Sequence, residues 1–157
     1  MANIYTACDK GHHLKVRKAA LNCLGTREYT ASMLKKKLLK GGFAIHAVQS
    51  VLQQLIQEGL LSDVRFCEAF IARRIRQGYG PVRVIAELRQ QGVDEAVISA
   101  QLQQNESAWS DCIEKILQKK FFAPTENLKE KLRQMHYLQY RGFRLEQIKK
   151  SIENRKN

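Results

Sequence analysis

Three glycines, Gly42, Gly92 and Gly142, stand fifty residues apart, and the pattern around them repeats with them. Four residues before them come Leu38, Leu88 and Leu138, and one residue after come Phe43, Val93 and Phe143. Six residues after stand Val48, Ile98 and Ile148, and ten after stand Leu52, Leu102 and Ile152. A glycine so placed ends a helix in the left-handed conformation, the apolar residue behind it folds back over the last turn, and the next helix docks on its predecessor. A three-helix unit of about fifty residues buries little apolar surface alone, so neighbouring units complete each other's cores by stacking. The expected fold is therefore all-α, with three tandem three-helix repeats forming an elongated, curved array. The expected boundaries are a flexible leader over 1–14 and repeats over 15–61, 62–104 and 105–157.

Local patterning supports helices throughout. Apolar residues recur at three and four, as in Phe66, Phe70, Ile71 and Ile75 or Leu128, Leu132 and Met135. The only prolines are Pro81 and Pro124. Breaks at "GTREYT", "KGGF", "EGLLSD", "QGYGP", "QQGVD", "FFAPTEN" and "YRGFR" carry glycine, a capping residue or both, and delimit about nine short helices.

Composition narrows the function classes. The chain has 27 Lys plus Arg against 15 Asp plus Glu, a formal charge of +12, which points to polyanionic partners such as nucleic acid or an acidic protein face. Cys8, Cys23, Cys67 and Cys112 form no CxxC pair, which argues against zinc and disulfides and for a reduced, cytoplasmic setting. The opening "MANIYTACDKGHHLKV" lacks a signal-peptide apolar run, and no segment has the length and apolarity of a membrane span. His12, His13, His46 and His136 fall in different segments, with no DxD, HExxH or P-loop, so neither catalysis nor a cofactor or metal is expected. Glu28, Asp63, Glu87 and Asp94 suit capping or helix-pair positions.

The stretch "DVRFCEAFIARRIRQGYGPVRVIAELRQQGV" is the most informative. Its first helix places Val64, Phe66, Cys67, Phe70, Ile71 and Ile75 on one face, with Asp63 or Ser62 capping its start. Arg74 falls near the centre of that face and is expected to be structural, while Arg65, Arg76 and Arg83 are surface contacts. Gly78 ends the helix, Gly80 precedes Pro81 in an extended turn, and Pro81 opens the next helix, where its missing donor is not needed. Tyr79 is expected to plug a junction, with base stacking as the competing role.

This stretch resembles the signature region of the RecX family, bacterial regulators of the RecA recombinase. "TREYTASMLKKKLLKGGF", "EGLLSDVRF" and "LQYRGFRLEQI" are similar to the family's flanking motifs, so that the resemblance runs over residues 15–153; "KKFFAP" departs from it by placing Phe122 where the family often has glycine. The resemblance implies a regulator of DNA repair and the SOS response that does no chemistry itself, and the chain is expected to be a monomer. Its implied partners are the RecA filament and the single- and double-stranded DNA that filament holds, and the implied effect is inhibition of recombinase, ATPase and coprotease activities.

Basic residues on successive helices could bridge several protomers of a filament at once. The candidates are Lys35, Lys36, Lys37 and Lys40 in the first repeat; Arg65, Arg73, Arg76, Arg83 and Arg89 in the second; and Lys119, Lys120, Arg141, Arg144, Lys149 and Lys150 in the third. A solvated basic face is the competing reading of each. The structural set comprises Arg74, Tyr79, Gly42, Gly80, Pro81, Gly92 and Gly142. The alternative function is a stand-alone helical DNA-binding protein without a RecA partner, using one repeat as a helix-turn-helix reader.

Overall fold

The computed structural model describes residues 4–121 and 124–155, with the side chains of residues 4–10 excepted. Within them lie nine α-helices and no strand: α1 (Ile4–Leu24), α2 (Ala31–Lys40), α3 (Ile45–Gln57), α4 (Asp63–Arg76), α5 (Pro81–Gln90), α6 (Glu95–Gln104), α7 (Glu106–Lys120), α8 (Leu128–Tyr140) and α9 (Leu145–Asn154). Met1–Asn3 and Phe122 lie outside the described residues. The structure departs from the expected leader over 1–14, because α1 begins at Ile4. Val16 and Ala20 anchor its C-terminal half in the core, and with no proline upstream the helix propagates at little cost per residue.

The repeat glycines behave as their spacing requires. Gly42, Gly92 and Gly142 have φ of 83°, 76° and 90°. Behind two of them the Phe43 N–H donates to the Leu38 carbonyl at 3.3 Å and the Phe143 N–H to that of Leu138 at 3.1 Å, closing each helix end in a Schellman motif. Leu38, Leu88 and Leu138 are buried, as are Val48, Ile98 and Ile148. The outermost row weakens, since Leu52 is buried but Leu102 and Ile152 are only half-buried.

The helices gather into two compact units. The first runs to Phe66 and includes Gln91–Val93; the second comprises Cys67–Gln90 and the chain from Asp94 onward. In the first unit α1 packs on α3 and α2. Its core joins Val16 and Ala20 to Leu34, Val48, Val51 and Leu55, and each of the buried valines and leucines contributes about 1.5–3 kcal/mol. Arg17 of α1 forms a bidentate pair with Glu58 behind α3, at 2.6 and 3.1 Å. Thr30 caps α2 by accepting from the Met33 N–H at 3.0 Å, and its hydroxyl donates to the Gln91 carbonyl at 2.6 Å. The cap of α4 is Ser62, which accepts from the Arg65 N–H; Asp63 instead accepts from the Ala31 N–H at 2.8 Å, tying the start of α2 to that of α4.

In the second unit α5 packs on α6, α6 on α7, and both α7 and α8 on α9. Its buried side chains include Phe70, Ile71, Val84, Leu88, Trp109, Ile113 and Leu117. Val64, placed on the apolar face of α4 by the sequence pattern, is instead 43% exposed. At Gly80 the backbone meets the turn that follows α8. The Gly80 N–H donates to the Arg141 carbonyl at 2.8 Å and the Val82 N–H to that of Gly142 at 2.9 Å. Thr30 with Gln91 in the first unit and Gly80 with Arg141 in the second are the same joint, displaced by fifty residues.

Candidate functional site

The basic side chains divide by what they touch. Arg65 of α4 is a brace within the first unit: its Nε donates to Glu28 at 3.1 Å, and its two terminal nitrogens to the carbonyls of Gly59 and Leu60. Arg83 donates to Glu87 at 3.1 Å, one helical turn on, and lies over the Tyr79 ring. Arg89 grips Glu95 with two bonds, which holds the Glu95 carboxyl below the usual carboxylate range and raises the guanidinium's own affinity for its proton. Lys37 donates to the Tyr29 hydroxyl at 2.9 Å, and that bond, with the nearby Arg27, lowers the phenol.

Tyr79 organises the second unit's basic surface. The guanidiniums of Arg83, Arg141 and Arg74 lie 4.2, 5.2 and 5.5 Å from its ring centre. Each gains from the negative face of the ring while the ring stays half-buried, and this arrangement fills a helix junction. Arg74 also pairs with Glu87 at 2.7 Å and donates to the Gln77 side chain. Arg141 donates to the Tyr137 hydroxyl from two nitrogens and to the Gln77 carbonyl from a third. Lys120 sits 3.8 Å from the centre of the Tyr137 ring. Arg141 and Lys120 are thus held by neutral groups, and among the described residues no carboxylate pairs with either.

A second group makes no ion pair among the described residues: Lys35, Lys36 and Lys40 on α2, Arg73 and Arg76 on α4, Lys119 on α7, and Arg144, Lys149 and Lys150 at α9. All but the half-buried Lys35 are exposed. Arg73 lies over Phe70, with its guanidinium 5.2 Å from the ring centre, and is otherwise open. Among the described residues no group of His, Cys, Asp and Glu could hold a metal, and no helix is long and apolar enough to cross a membrane.

Several of these cations surround a groove of about 600 Å³ between the end of α4 and α7. Ile75, Ala108, Cys112 and Ile116 form its apolar floor, and Arg76, Lys115, Lys119 and Arg141 its rim, with Asp111 beside them. Lys115, absent from the sequence candidates, completes a row with Asp111 and Lys119 at helical spacing. Burial pushes the Cys112 thiol up, while the positive charges of Lys115 and Arg141 pull it back, so the floor lies in a positive field. The chemistry of the groove is that of an anion receptor with an apolar base.

The helices after each turn are unlike one another in charge. α3, "IHAVQSVLQQLIQ", and α6, "EAVISAQLQQ", contain no Lys or Arg, whereas α9 carries Lys149 and Lys150. A helix-turn-helix reader presents the helix after its turn to the bases, and two of the three lack the cations that such docking uses.

Residues 62–102 match the family model for the second three-helix domain of RecX, and residues 110–152 that for the third. The chain is 40% identical over 136 residues to the regulatory protein RecX of Halorhodospira halophila, covering 85% of this chain and 84% of that protein. It is 36% identical over 141 residues to the regulatory protein RecX of Pseudomonas savastanoi pv. phaseolicola, covering 89% and 91%. The crystal structure of RecX from Lactobacillus salivarius superimposes with a TM-score of 0.83 over 92% of this chain and 97% of that one, at 17% identity, a likeness of fold.

Proposed function

Because the chain belongs to the RecX family of regulatory proteins, we propose that it binds the RecA recombinase on DNA and restrains it, lowering strand exchange, ATP hydrolysis and coprotease activity. The observation that carries this reading is the set of exposed cations, on helices of both units, that make no ion pair among the described residues. A filament of protein on DNA offers acidic side chains and phosphates in one groove, and many weak charge contacts made together give tight binding without a deep pocket. The protein works as a cytoplasmic monomer, without chemistry of its own. The stand-alone DNA reader finds less support, since α3 and α6 contain no Lys or Arg.

The test is RecA-dependent ATP hydrolysis on single-stranded DNA, with the protein titrated in at two salt concentrations. A fall in rate at substoichiometric protein, weakened by salt, is expected. No effect alongside tight binding to bare DNA would replace this reading with the stand-alone one.

A further inference from the structure

We propose that the groove between the end of α4 and α7 is a docking site for an acidic peptide segment carrying an aliphatic or aromatic anchor, rather than for nucleic acid. The inference rests on the reading of the chain as a regulator of a protein partner, and it names the surface and the chemistry that partner must offer.

Three features select a peptide. The rim carries four cations against one carboxylate: among the described residues Arg76, Lys115 and Lys119 make no ion pair, and Arg141 donates only to Tyr137 and Gln77. Complementarity therefore demands negative charge. The floor is aliphatic, and the groove, at about 600 Å³, has room for large side chains. Proteins that hold single-stranded nucleic acid stack its bases on aromatic rings, and none of the described residues lining this groove is aromatic. Finally, Asp111 stands on the rim. A phosphodiester backbone offers that carboxylate no N–H, whereas a peptide backbone offers one at every residue but proline.

The probe is a fluorescent peptide of about twelve residues, Asp and Glu around one Leu-Phe pair. Its controls are the same peptide with Ser-Ser in place of Leu-Phe, and labelled oligothymidylate. All are titrated against the full chain, against Lys115→Glu/Lys119→Glu, and against the charge-matched Lys149→Glu/Lys150→Glu. The groove variant should bind the Leu-Phe peptide about tenfold more weakly than the matched variant, and wild type should bind the Ser-Ser peptide clearly more weakly. Oligothymidylate affinity should fall no further in the groove variant than in the matched one.

In wild-type amide spectra the peptide should move signals of Ile75–Gly78 and Ala108–Lys119, a readout that needs no variant. Equal peptide binding by the two variants, indifference to the Leu-Phe pair, or shifts confined elsewhere would overturn the proposal. A loss of oligothymidylate binding specific to the groove variant would make the groove a nucleic-acid surface. Neither probe contains recombinase, so failure to inhibit RecA would refute the proposed function and leave these results to be judged separately.

Discussion

Gly80 and Gly142 meet backbone against backbone. A Cβ on Gly80 would stand 2.3 Å from the Gly142 carbonyl carbon and from the Phe143 nitrogen, and a Cβ on Gly142 would stand 2.6 Å from that of Arg83. The hydrogen bonds from Gly80 to Arg141 and from Val82 to Gly142 depend on this approach. Both positions need glycine for space, and Gly142 needs it also for its positive φ.

Gly80→Ala should therefore destabilise the protein by about 3 kcal/mol, because the obstructing atoms are backbone and cannot rotate away. Gly42→Ala meets nothing within 4 Å and suffers only the left-handed penalty of about 1 kcal/mol. Denaturant midpoints of the two variants should keep this order.

Arg76 and Arg83 should separate when changed singly. Arg76→Ala removes an exposed side chain without an ion pair among the described residues, and should weaken action on the filament with little loss of stability. Arg83→Ala removes the pair with Glu87 and the stack on Tyr79, and should lower the melting temperature as well. Inhibition assays beside thermal melts would show the split.

Salt dependence should distinguish free cations from engaged ones. If Lys36 and Lys40 each touch a phosphate, Lys36→Ala/Lys40→Ala should reduce the log–log salt slope for single-stranded DNA by about 1.4, at about 0.7 per contact. Arg89→Ala should leave the slope nearly unchanged, since that guanidinium is held by Glu95.

The Arg89–Glu95 pair has a pH signature. The Glu95 carboxyl is held below its ordinary value in the folded chain, mainly by its bond to Arg89. Its contribution is complete above the ordinary carboxylate range and is lost as pH falls through the depressed value. Stability measured from neutral pH to about pH 3 should fall less steeply in Glu95→Gln than in wild type.

The helices, their glycine ends and the rows of leucine and isoleucine that face inward are legible in the sequence alone, because periodicity and capping act within a turn or two of chain. The sequence also carried the i,i+4 pairing of Arg83 with Glu87. It could not reveal that Arg65 meets Glu28, thirty-seven residues away, or that Arg141 lies over Tyr79 and caps the Gln77 carbonyl. Nor does it show that Lys115 of α7 lines one groove with Arg76 at the end of α4. Only the tertiary structure decided which cations are neutralised and which remain open to a partner, because charges pair by distance in space, and helical spacing governs that distance only within a single helix.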